Sequence, residues 1–251
     1  MSFEACAALV ERADPDRFRA TMAAPVAARR VLFPLYAFNV EVTRAPWVTQ
    51  EPMIAEMRLQ WWRDALEEIT GGRPARKHEV VDALAETLDA EAATTLDGLI
   101  AARRWDVYPD AFEDSGHLRD YIDATSGHLM WTAARLLGKA AERTVRDFAF
   151  ASGVAQLLRA VPELEDRGRK PLVDGTTAGV KALAQDARNR WVQAAADRRT
   201  VSKAAAPALI AGFAARPVLT QAVANPAKVA SGGLDVSPLR VQKVALFGWW
   251  R

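Results

Sequence analysis

Apolar residues return every three or four positions along nearly all of this chain, and no stretch alternates apolar with polar residues in a β-branched setting. That spacing suits packed helices, and the alanine and leucine that carry it are strong helix formers. The expected fold class is all-α. With 251 residues, 50% of them hydrophobic, the chain can bury one large core, so residues 1–251 are read as a single domain.

Local punctuation divides the pattern. Asp14 and Pro15 make an N-cap and first-turn pair for a helix carrying Phe18 and Met22. Pro25 starts the next helix, which contains Pro34; a kink or break is expected there, because proline removes a donor and clashes with the preceding turn. That helix should end near Pro46. From Glu51 to Ile69 a stripe of Ile54, Met57, Trp61, Ala65 and Ile69 marks a further helix, ended by Gly71-Gly72. More helices are expected over 78–90, 94–106, 116–137, 141–167, 175–199 and 203–215, with a short one from Pro238.

Several classes are excluded or disfavoured. The single Cys6 rules out an internal disulfide, and no Cys/His spacing suits zinc. The N-terminus lacks a basic region followed by a long apolar run, and the uncharged stretch 204–215 is short of the roughly 20 residues a spanning helix needs. A soluble, cytoplasmic protein is expected. There is no GxGxxG or Walker sequence, and His117 and His128, near Asp123 and Ser126, have no GxSxG context to make them a triad. Net charge is only +2, yet residues 188–251 carry +8 and residues 1–187 carry −6. The basic third is either an ordinary solvated face or a surface for an anionic partner. It has no aromatic stacking series, which argues against nucleic acid.

Two segments carry a resemblance. Tyr36-Ala37-Phe38-Asn39-Val40-Glu41-Val42-Thr43-Arg44-Ala45-Pro46-Trp47 resembles the first aspartate-rich helix of the squalene/phytoene synthase family, roughly YAFCRxxDDxxD. Thr43, Arg44 and Trp47 stand at the aspartate positions. Leu158-Arg159-Ala160-Val161-Pro162-Glu163-Leu164 resembles the second motif, LRDVxED, with Ala160 and Leu164 replacing its spaced aspartates. Arg159 and Glu163 match. Arg30, Trp62-Arg63, Tyr121 and Gly127 extend the likeness over about 17–70 and 117–172, with little beyond 185. The string from Glu56 to Leu66, with Leu158 to Pro162, is similar to the branch that includes the complex I assembly factor 6 proteins, which also lack the aspartate pairs.

The resemblance implies an all-α isoprenoid synthase fold around a central cavity, and a role in assembly or regulation of a membrane-associated complex. The chemistry of such a fold normally needs magnesium, which takes octahedral oxygen coordination, commonly from carboxylates, water and phosphate. The emptied motifs supply one neutral hydroxyl and an indole, so no metal ligands and no catalytic residues are assigned. The literal DxxxD at Asp106 and Asp110 is read as a helix end, because Pro109 pushes Tyr108 out of the helical region. Glu163, Glu165 and Asp166, followed by Arg167 and Arg169, are read as a solvated helix end.

Candidate pocket residues are Tyr36, Asn39, Thr43, Arg44, Trp47, Arg58, Trp62, Gln156, Arg159 and Glu163. Arg58 and Trp62, four apart, are placed for a cation–π contact, and Arg58 or Arg63 for anion binding. Trp61 is expected in the core. The expected partners are an isoprenoid or other lipid, a membrane-associated protein complex, and a membrane surface met by residues 238–251, whose tryptophans and basic residues suit an interface as well as they suit docking on the core. No cofactor is expected. The alternative is an active prenyltransferase joining isoprenoid diphosphates head-to-head, with magnesium in a rebuilt site.

Overall fold

The computed structural model describes residues 2–71, 75–239, 241 and 242. Most of the expected membrane-facing helix over 238–251, residues 240 and 243–251, therefore lies outside the described residues. Among the described residues there is no β-strand, only one bridge pair, Ala140 with Val201.

The α-helices among the described residues are α1 (Ser2–Ala13), α2 (Pro15–Met22), α3 (Val26–Arg44), α4 (Pro52–Thr70), α5 (Glu79–Ala85), α6 (Ala90–Arg103), α7 (Ser115–Ile122), α8 (His128–Leu137), α9 (Glu142–Asp166), α10 (Thr177–Ala196), α11 (Ala215–Ala224) and α12 (Ala227–Ala230). Asp14 caps α2 as its sequence suggests, accepting from the Arg17 amide at 2.9 Å. Of the kink or break expected at Pro34, the break does not occur, and α3 runs through it as one helix. Its middle is buried from Leu32 to Val40, and that packing offsets one missing backbone hydrogen bond. α9 likewise runs through Pro162. The helix expected over 203–215 is instead a 3-10 run, Ala206–Gly212, leading into α11.

α9 is the central element. Residues on every side of it are buried, including Phe148, Phe150, Val154 and Leu158, which is why it shows no amphipathic stripe. It packs against α8, α10, α11 and the 3-10 run. Each such fully buried side chain contributes about 1.5–3 kcal/mol of transfer free energy. Residues 206–224 are long and apolar enough to cross a membrane by length and composition, but 56% of that span is buried inside this packing.

α4 corrects the expected register. Its buried row is Ala55, Leu59, Trp62, Ala65 and Leu66; Ile54 and Met57 are exposed and Trp61 is half-buried. Two apolar rows lie side by side on this helix, and the neighbours choose between them. Trp62 meets the rings of Phe38 and His78 edge-on, at 5.5 and 5.2 Å. Trp61 lies beneath the Arg76 guanidinium, 5.0 Å from the ring centre. Arg63 is tied to Asp97 of α6 by two hydrogen bonds of 2.6 and 2.9 Å.

Between α7 and α8 the chain widens into a π-helical segment, Asp123–Gly127. α9 lies hard against it at Gly153, where an added Cβ would stand 2.7 Å from both Ile122 Cγ2 and Ser126 Oγ. Only glycine permits that approach. Bulges of this kind often re-aim side chains at functional sites.

Candidate functional site

A cavity of about 280 Å³ opens where the end of α3, the 3-10 turn Ala45–Trp47, the π-helical segment and the second half of α9 converge. Thr43 and Trp47 line it from one side, Ala160 and Leu164 from the other. Two motifs far apart in sequence thus meet across one space. Arg44 does not join them: it is exposed and pairs with Glu41 at 3.5 Å.

The floor is a polar triad from the end of α6, the 3-10 turn Arg104–Val107 that follows it, and α7. Tyr121 Oη donates to Asp106 at 2.7 Å, Arg103 donates to Tyr121 Oη at 2.7 Å, and Arg103 and Asp106 pair at 3.0 Å. Burial pushes the Tyr121 phenol well above its ordinary range, further than the Arg103 charge pulls it back. Burial opposes the charge on Arg103, but Tyr121 and Asp106 outweigh it, and the guanidinium is held protonated. Arg103 Nε is buried with no hydrogen-bond partner, and so is Thr43 Oγ1.

The rim is cationic. After α9 the chain turns at Gly168, where φ is +76°, a conformation that favours glycine. This turn brings Arg167 and Arg169 against Trp47, each guanidinium 4.9 Å from the ring centre, and sets Lys170 on the cavity wall. Arg169 also donates to the carbonyl oxygens of Asp106, at 2.8 Å, and Tyr108.

Magnesium does not fit this donor set. The motif positions at the cavity offer one neutral hydroxyl, and among the described residues no three His, Cys, Asp or Glu side chains come together to hold a metal ion. Asp106 and Asp110 line the cavity, but Asp106 is engaged by Arg103 and Tyr121. Tyr108 is extended, as Pro109 requires, so the helix does end there; the expectation missed that the ending carries both carboxylates to the cavity.

The remaining candidates divide. Gln156 lines the main cavity and also a recess of about 310 Å³ with Arg159 and Glu163. There Arg159 pairs with Asp16 at 3.0 Å, while Arg17 reaches Asp14 at 2.5 Å and Gln156 at 3.4 Å. Glu163 is exposed and pairs with Arg167 at 2.6 Å. Tyr36 is buried beside Gln156 under Arg17, 5.6 Å from its ring; burial first, then Asp14, push its phenol up to about 12, against the pull of Arg17. Asn39 is buried in α3. Trp62 belongs to the core and Arg58 is exposed, so the expected contact between them is not made. Arg103, Asp106, Tyr121, Arg169 and Lys170 were not proposed as pocket residues from the sequence. Tyr121 carried a signal as part of the resemblance, and Arg169 as part of a charged run.

A helical bundle closed around a cavity between two such motif helices defines a synthase-like protein, and the chain belongs to the squalene/phytoene synthase family, whose profile matches residues 10–172. It is similar to the complex I assembly factor 6 homolog of Drosophila melanogaster, with 31% identity over 178 residues, 67% of this chain and 53% of that one. The Homo sapiens assembly factor 6 is 24% identical over 162 residues, 62% of this chain and 48% of that one. The chain thus spans about half the length of these relatives. Among solved structures, a dehydrosqualene synthase in complex with ligand superposes with a TM-score of 0.80 at 16% identity, covering 97% of this chain and 94% of that one. Squalene synthase HpnC from Alicyclobacillus acidocaldarius gives 0.71 at 18%, covering 88% and 92%. The fold is the all-α terpenoid synthase fold, and it continues well past residue 172. Family and fold are prenyltransferase-like.

Proposed function

We propose that this chain is a catalytically silent member of its family that acts by binding. Its cavity holds an isoprenoid or other lipid, and the protein serves assembly of respiratory complex I, peripheral to the inner face of a membrane. The observation that carries this reading is the cavity itself: Thr43, Trp47, Ala160 and Leu164 line it where prenyl condensation needs magnesium-binding carboxylates. The names of its relatives support the assembly role. The rival reading, head-to-head condensation with a rebuilt magnesium site, requires a carboxylate cluster that the described residues do not form.

The test incubates purified protein with farnesyl or geranylgeranyl diphosphate and magnesium, following diphosphate release and hydrocarbon product. No turnover is expected. Turnover that a chelator abolishes would overturn the silent reading, and failure to retain complex I subunits in pull-downs would overturn the assembly role.

A further inference from the structure

The site has not merely lost its cation ligands; its fixed charge has changed sign. Where the family motifs would place aspartates, the cavity now has neutral walls, and cations stand beside them. Arg169 and Lys170 reach the wall from the turn after α9, the helix that carries Leu164, and Arg103 reaches it from α6. Asp106 and Arg103 offset each other within the triad, which leaves Arg169 and Lys170 against Asp110.

Resting on the binding role proposed above, we propose that the cavity takes the head of a phosphate-bearing amphiphile directly on Lys170 and Arg169, with no divalent cation between them. A magnesium-bridged site needs carboxylates on the protein side because the ion carries the positive charge. Here the protein carries it, so an added cation has nothing to bind and would compete for the ligand. Arginine and lysine supply charge-assisted donors suited to phosphate oxygens. Trp47, Phe112 and Leu157 give the apolar wall for the tail.

Isothermal titration of the full chain with dodecyl phosphate, in EDTA and again in magnesium, tests the idea, with dodecanol and dodecanoate as comparison ligands. Binding in EDTA is expected, within about threefold of that in magnesium and at least roughly tenfold tighter than for dodecanol. Lys170 is exposed, so Lys170→Glu leaves the packing intact; it should weaken dodecyl phosphate about tenfold or more while leaving dodecanol unchanged. Leu164→Asp, which returns one carboxylate, should weaken binding in EDTA as well. Binding that requires magnesium, a Lys170→Glu protein that binds as tightly as the parent, or dodecanoate binding equal to dodecyl phosphate would each overturn the proposal. Prenyl diphosphate turnover would instead strike at the silent reading, and the chelator arm keeps the two failures apart.

Discussion

Replacing Tyr121 by phenylalanine removes one oxygen from the floor of the cavity and keeps the ring. The ring contacts survive: Phe112 at 5.2 Å and the Arg103 guanidinium at 5.6 Å. Two hydrogen bonds of 2.7 Å are lost, one to Asp106 and one from Arg103, and both partners are charged. Hydrogen bonds to charged groups contribute about 1.5–3 kcal/mol each. The side chains of Arg103 and Asp106 keep 18% and 16% of their exposure and still meet at 3.0 Å, so water and the remaining ion pair recover part of the loss. Tyr121→Phe should therefore destabilise the fold by about 2–3 kcal/mol. For a chain of this length that lowers Tm by roughly 4–12 °C. Urea unfolding followed by circular dichroism at 222 nm measures it, with Asp106→Asn as a companion that spares the ring oxygen. A loss below about 0.5 kcal/mol for Tyr121→Phe would refute the view that the triad holds α7 to the end of α6.

Three further outcomes are expected. Tyr36 has a folded pKa raised to about 12 from 10.0, so its contribution is fully present below pH 10 and is lost as pH rises through 12; relative to Tyr36→Phe, the parent should lose about 2 kcal/mol between pH 10 and pH 12 in urea titrations, and a flat difference would contradict the burial of the phenol. Gly153→Ala places a methyl 2.7 Å from Ile122 and Ser126, and should cost about 1–3 kcal/mol in the same assay, because the π-helical segment must shift. Trp62→Ala should cost about 3–5 kcal/mol by thermal unfolding, and Trp61→Ala less than half as much; equal losses would mean that the register of α4 is wrong.

Much of the fold was legible because helices are local. Asp14 capping, the proline entry at Pro25, the stop near Pro46 and the long α9 follow from short-range rules that the tertiary structure did not override. Where local rules conflicted with packing, packing prevailed. Pro34 did not break α3, because the burial of Leu32, Phe33, Leu35 and Phe38 outweighs one missing hydrogen bond. Ile54 and Met57 looked like core and are exposed, since nothing in the helix itself distinguishes its two apolar rows; Phe38 and His78 decide that Trp62 turns inward. Arg58 and Arg63 were reasonable anion ligands by type; Arg58 is exposed, Arg63 is tied to Asp97, and neither lines the cavity.

Sequence by itself determined the helical class, the family frame, and the loss of carboxylates at Thr43, Arg44, Trp47, Ala160 and Leu164, because side-chain chemistry at a motif position is read directly from the letters. Only the tertiary structure decided what stands in their place. Arg103, Tyr121 and Asp106 are tied together by hydrogen bonds across α6 and α7, and Arg169 and Lys170 arrive from a turn after α9. None of these shares a repeat or a spacing with the motifs they face. Arg103, Asp106 and Tyr121 come near because segments distant in sequence cross there, and Arg169 and Lys170 because the turn at Gly168 folds the chain after α9 back toward Trp47.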